Sequence, residues 1–336
     1  MNINSLSNKI VVVTGASAGI GRATALNFAK HAATVALIAR GRAGLEGAKR
    51  EIEAIGGKAH IFLTDVSQAD QVEKTAAQIE HELGPIDIWI NNAMASIFAP
   101  FDAITPEEFK RVTEVTYLGQ VNGTRSALKY MRRRDRGIII LIGSALAYRS
   151  IPLQSPYCGA KHALEGFFAS LRSELLHDKS KVHLGIVHLP GSNTPQFDWV
   201  RNKLPNRPQP IGFVFQPEVA AEAIVFAALK RRQEIYVGWP TFKAILGNKM
   251  FPRLLDRYLA KVGYKGQMTD QPEIKDRADN LFEPVNKDFG IHGRFNATAH
   301  QHSLFLWFVK HRTGIRIGFS ILGLIILLIL LLVILF

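Results

Sequence analysis

The chain has 336 residues, 47% of them apolar, enough for one large domain or two modest ones, and the composition excludes a disordered or collagen-like chain. Its mean hydropathy of +0.07 is raised by one stretch, residues 317–336, where 17 of 20 side chains are apolar and none is charged, which excludes a multi-span membrane protein. The net charge of +13 is scattered and shows no basic helix with interleaved aromatics, so nucleic acid is not an expected partner and an anionic ligand or membrane surface is.

Residues 1–9 are polar and carry no signal-peptide core. From there, short Val/Ile/Leu-rich runs at 10–14, 34–39, 59–63, 86–90, 138–142 and 182–189 read as strands buried on both faces. Segments of helical length lie between them, at 21–31, 42–55, 68–83, 106–131 and 155–178. Thr105, followed by Pro106, Glu107 and Glu108, is a well-formed helix start: N-cap, proline at the first position, acids in the first turn. The run Arg132, Arg133, Arg134 and Arg136 reads as a solvated connection. A helix at 217–229 and a strand at 234–237 complete the series. This alternation predicts an α/β fold, a Rossmann-like doubly wound parallel sheet flanked by helices. After residue 240 the texture changes. Residues 242–258 predict an amphipathic helix carrying Phe251, Leu254 and Leu255, and 261–300 an extension wrapped on the body or loosely ordered. The single cysteine, Cys158, excludes an intrachain disulfide, and His292, His300, His302 and His311 lack tight metal-ligand spacing.

Thr14-Gly15-Ala16-Ser17-Ala18-Gly19-Ile20-Gly21 follows the first strand and opens the first helix. Glycines there remove the Cβ atoms that would block a pyrophosphate, and a helix N-terminus offers N–H groups and the positive end of its dipole. The spacing of Gly15, Gly19 and Gly21, taken with the pair Tyr157 and Lys161 in Tyr-Cys-Gly-Ala-Lys, resembles the short-chain dehydrogenase/reductase family over residues 8–240. The resemblance implies a catalytic set of Ser144, Tyr157 and Lys161. It also implies cofactor contacts from the loop (Gly15, Ser17, Gly19, Ile20, Gly21), from Asp65 and Val66 at the adenine, and from Asn92 and Ala93 after the fourth strand. Pro190, Gly191 and Thr194 would lie at the nicotinamide half, and Lys161 would hold the nicotinamide ribose.

Charge adds the cofactor type. No acid closes the second strand, which ends at Arg40, so the ribose hydroxyl partner that favours NAD is absent; Arg40 and Arg22 suit a 2′-phosphate, hence NADP(H). Lys161, four residues after Tyr157, shares its helical face, and its charge is expected to bring the tyrosine pKa toward the working range. Two positions depart from the family: Met94 replaces the glycine of its NNAG motif, and Thr116 replaces its active-site asparagine. Those departures sustain an alternative reading, a membrane-tethered NADP(H)-binding sensor or scaffold with little turnover.

Residues 317–336, at 1.5 Å per residue, reach about 30 Å, a bilayer core. Lys310, Arg312 and Arg316 before them place the body on the cytoplasmic side, with Trp307 and Phe308 at the interface. The expected organisation is a catalytic domain at 1–240, an extension at 241–312 and a single transmembrane anchor at 315–336 in the lipid bilayer. Anchoring suggests a lipophilic carbonyl or alcohol substrate. So do Phe197, Trp199, Leu204, Ile211, Phe213 and Phe215, which fall in the family's lid region. By resemblance, a homo-dimer or homo-tetramer is expected.

Overall fold

The computed structural model describes residues 6–311. β1 (Ile10–Thr14), β2 (Thr34–Ala39), β3 (Lys58–Leu63), β4 (Ile86–Asn91), β5 (Ile138–Ser144), β6 (His183–Leu189) and β7 (Glu234–Tyr236) form a seven-stranded sheet in the order 7-6-5-4-1-2-3. Every neighbouring pair is parallel, so each return needs a crossover. The crossovers and flanks are α1 (Gly19–Lys30), α2 (Arg42–Ala54), α3 (Ala69–Glu82), α4 (Pro106–Thr113), α5 (Gly119–Met131), α6 (Ser155–His177) and α7 (Pro217–Leu229).

The strands are apolar on both sides because both sides are covered. Val11 and Val13 join a core with Phe28 of α1, Ile52 of α2 and Ile224 of α7. Ile10 and Val12 point the other way, into a core with Ile79 of α3 and Phe168 of α6. This two-residue alternation fixes which strand-end side chains reach the crevice. β1 lies between β2 and β4, where the winding reverses, and ligands of such sheets bind outside the strand C-termini at that point.

Three expectations need correction. The helix read over 106–131 is interrupted: a π-helical turn, Glu114–Leu118, separates α4 from α5. The helix read over 242–258 is two, α8 (Gly238–Met250) and α9 (Pro252–Gly266). Phe251 between them has φ −138° and ψ 54°, because the following proline ring disfavours the α conformation at the residue before it. The arginine run is not merely solvated: Arg132 pairs with Asp178 (3.2 Å), Arg134 with Glu80 (2.7 Å) and Arg136 with Asp87 (3.5 Å).

Beyond α9 the chain wraps on the body. Met268–Pro272 pairs antiparallel with Asn206–Pro208, and Gln216 N donates to the His300 carbonyl (2.9 Å). Among the described residues no helix is long and apolar enough to cross a membrane; the anchor expected at 315–336 lies outside them, as do Arg312 and Arg316.

Candidate active site

The crevice starts at the β1–α1 loop. Gly15 and Gly19 have φ of +66° and +55°, conformations that favour glycine, and a Cβ on Gly21 would strike the Gly15 carbonyl and the Asn92 amide. The ends of β1 and β4 are pinned together beneath the loop. Thr14 Oγ1 accepts from the backbone N–H groups of Asn92 (2.9 Å) and Ala93 (3.0 Å), and Asn92 Nδ2 donates to the Thr14 carbonyl (2.9 Å). A cleft of about 200 Å³ results, with Gly15, Ser17, Gly19, Ile20 and Gly21 along one wall. Arg40, Asp65, Val66, Asn92 and Ala93 continue it, and Thr194 closes the far end. A narrow cleft floored by glycines at a helix N-terminus fits a dinucleotide's pyrophosphate.

The two arginines expected at the 2′-phosphate are otherwise engaged. Arg22 does not line the cleft: it is buried, bonded to Glu51 (2.9 Å) and Asp288, with its charge spent on those acids. Arg40 does line the cleft, but its guanidinium donates to the carbonyls of Phe282 (2.6 Å) and Asn280. Asp65 accepts from Arg111 (2.6 Å) and Ser67 (2.8 Å). Burial alone would raise its carboxyl pKa; the Arg111 and Ser67 bonds hold it below the ordinary range.

Ser144, Tyr157 and Lys161 converge where this cleft meets a second, larger cavity. Ser144 ends β5, its Oγ accepting from Leu146 N (3.1 Å). Tyr157 and Lys161 project from the first turns of α6, and the Lys161 ammonium lies 5.5 Å from the Tyr157 ring centre. Burial raises the Tyr157 pKa, and a hydrogen bond with Ser144 pulls it partly back. Burial lowers Lys161 to about 7, opposed by the Glu165 carboxylate one turn on. In the protein alone, desolvation moves both groups toward their neutral forms.

Thr116 sits in the π-helical turn, fully buried. Its Oγ1 donates to the Ala95 carbonyl (2.7 Å) and accepts from Ala95 N (2.9 Å), so it cannot serve the lysine as an amide side chain would. Gln120, one turn on, shares a carbonyl with the lysine: its Nε2 donates to Ile142 O (3.1 Å), which also accepts from Lys161 Nζ (2.6 Å). Behind the lysine, His188 of β6 bonds Glu234 (3.0 Å), and the Tyr148 hydroxyl lies within hydrogen-bond distance of Glu234 (2.9 Å) and Glu165 (3.2 Å). Sequence reading missed Gln120, Glu165, His188 and Glu234. The last three lie on different elements, and only folding makes them neighbours.

The second cavity, about 620 Å³, is lined by Pro190, Gly191 and apolar side chains of the lid and extension. The six lid residues divide. Phe197, Ile211 and Phe213 face this cavity, while Trp199 faces the glycine-floored cleft. Leu204 and Phe215 are packed into the cores. Trp239 and, from the extension, Leu255, Tyr258 and Leu259 complete the apolar wall. Met94, at the glycine of the family motif, borders both spaces. Cys158 is buried, and burial raises its thiol pKa, which argues against a nucleophile.

A family model described as short chain dehydrogenase matches residues 9–203. An uncharacterized oxidoreductase of Bacillus subtilis, YxnA, is 31% identical over 296 residues, 88% of this chain and 82% of that protein. The 3-dehydrosphinganine reductase of Danio rerio is 32% identical over 233 residues, 67% of this chain and 70% of its own length. The 17-beta-hydroxysteroid dehydrogenase 13 of Rattus norvegicus is 34% identical over a shorter stretch, 51% of this chain and 57% of its own. Among solved structures, a metagenomic short-chain oxidoreductase in complex with NADP superposes with a TM-score of 0.59 at 27% identity, covering 69% of this chain and 98% of that one.

Proposed function

Because the chain belongs to the short chain dehydrogenase family, and is thus an oxidoreductase acting on CH–OH or C=O groups, we propose that it interconverts a lipophilic carbonyl and its alcohol with NADP(H) at a membrane face. The observation that carries this reading is the position of Ser144, Tyr157 and Lys161, between a glycine-floored cleft and an apolar cavity. Bound in the cleft, the nicotinamide would exchange a hydride with the substrate carbon. Ser144 and Tyr157, which both line the cavity, present hydroxyls to the substrate oxygen. Tyr157 gives its proton to that oxygen as negative charge develops there. Lys161 stabilises the tyrosinate left behind, a task that requires its protonated form. Burial raises the Tyr157 pKa, so the hydroxyl carries the proton that the reductive step needs.

Lipophilic substrate is supported by the cavity wall and by two relatives whose names specify a dehydrosphinganine and a hydroxysteroid. The membrane reading is supported by what adjoins the apolar run at 317–336. Helical turns at 304–311 expose Leu304, Trp307 and Phe308, and Phe305 packs on Trp239 and Phe242 of α8, which lines the cavity. Met250, Phe251 and Leu254 add exposed apolar surface on α8 and α9, next to Lys249 and Arg253. An anchor starting here would hold the cavity wall at the bilayer surface.

The test is NADPH consumption by the full chain in lipid nanodiscs, over long-chain ketones, polycyclic ketones and small hydrophilic carbonyls, with NADH as control. The lipophilic ketones should be reduced with NADPH preferred. Turnover confined to hydrophilic carbonyls would overturn the substrate class.

A further inference from the structure

Residues 279–293 of the extension run along the dinucleotide cleft, and they are tied down throughout. Arg40 holds the carbonyls of Phe282 and Asn280, and Arg111 Nε donates to the Leu281 carbonyl (3.0 Å). Asp288 pairs with the buried Arg22, and the Gly290 carbonyl accepts from Gly19 N in the glycine loop (3.1 Å). Gly293 N donates to the Asn193 carbonyl (3.1 Å), beside the nicotinamide end. The body is shaped for this strap: a Cβ on Gly47 of α2 would strike the Asp288 carboxylate.

Between these tethers the strap turns Pro284, Val285, Lys287 and Phe289 into the same cleft as Gly15, Ser17 and Arg40. Phe289 packs edge-on against Trp199 from the lid, ring centres 4.5 Å apart, so lid and strap meet over the cleft. The charges matter as well. Arg22 is neutralised by two acids and Arg40 is occupied by carbonyls, so neither expected cation has its hydrogen-bonding capacity in hand. Lys287 lines the cleft and forms no ion pair among the described residues; its ammonium lies 5.4 Å from the Phe289 ring centre.

We propose that the strap at 279–293 is part of the cofactor site, closing over the dinucleotide, and that Lys287 supplies a cation to its phosphates. The inference rests on the NADP(H) reading above and deepens it. A phosphate brought into the cleft meets a lysine from the strap side and helix N–H groups from the loop side, a two-sided grip that an open crevice lacks. The ligand group is a phosphate ester: either the 2′-phosphate, which NADPH alone has, or the pyrophosphate, which NADH shares.

The experiment is equilibrium binding of NADPH and of NADH to the purified full chain by calorimetry, with Lys287→Ala and Lys287→Glu beside the unaltered protein. Lys287 is exposed, so both variants should fold, and unchanged melting temperatures would establish that. The expected result is an NADPH Kd raised on the order of tenfold by Lys287→Ala and further by Lys287→Glu. A rise for NADPH alone assigns the lysine to the 2′-phosphate; an equal rise for NADH assigns it to the pyrophosphate. Either upholds the proposal. If the unaltered chain binds NADPH and both variants bind it equally well, the strap proposal is overturned. If the unaltered chain binds neither dinucleotide, the cofactor reading itself falls.

Discussion

Lys161 shows how much a single buried side chain alters the chemistry. Surrounded by protein, its ammonium loses hydration that one carboxylate does not replace, and its pKa falls from 10.5 to about 7. In the unfolded chain it returns to the higher value. Between about 7 and 10.5 the unfolded state therefore binds more protons, and stability contributed by this group rises with pH across that window. The penalty is fully present below about 7 and gone above 10.5. Replacing Lys161 by Met removes the titration. In urea unfolding of the cofactor-free protein, Lys161→Met should be more stable than the parent near pH 7, and the gap should narrow as pH rises. A gap independent of pH would contradict the assigned burial. The pairing of Tyr157 with Lys161 was legible from a four-residue spacing. What Arg40 and Arg22 bind was not, because Asn280, Phe282 and Asp288 come some 240–266 residues later. A charge read from sequence identifies a cation, not whether another segment has already used it.

At the scale of elements, local rules succeeded where the deciding contacts are local. Thr105 caps α4 as its sequence implies: its side chain accepts from Glu108 N (3.3 Å), and Glu108 accepts from Thr105 N (2.9 Å). Thr105→Ala should cost about 1 kcal/mol in chemical denaturation, with NADPH affinity unchanged. An unchanged midpoint would mean the cap is idle. The strands were equally legible, since continuous Val/Ile/Leu runs leave little choice but a doubly covered sheet. The π-helical turn at Glu114–Leu118 left no such mark. It is held by tertiary bonds, Thr116 to Ala95 in the loop after β4 and Gln120 to Ile142 of β5, that tie one helix to two different segments. The break at Phe251 follows from Pro252, although the apolar pattern on either side is that of one continuous helix.

Over the whole molecule, the extension joins the two functional spaces. α8 and α9 wall the apolar cavity, and the strap that follows them borders the cofactor cleft. Its mixed polar composition disclosed neither role, because its contacts are mostly backbone carbonyls, which any sequence supplies. The apolar run at 317–336 lies outside the described residues, and its proposed role as an anchor is open to a direct test. A chain ending at residue 311 should be released from membranes by alkaline carbonate, whereas the full chain should stay with the lipid. Retention of the truncated chain would show that α8 and α9 suffice for attachment.

Tyr157 is the proposed proton donor of an NADPH-dependent reduction. The most direct test of that role is Tyr157→Phe, followed by NADPH binding and by turnover on whichever lipophilic ketone the parent reduces. Binding should stay within a few-fold of the parent, while turnover should fall roughly 10²–10⁴-fold. A variant that binds NADPH and reduces the ketone at the parent rate would contradict the claim.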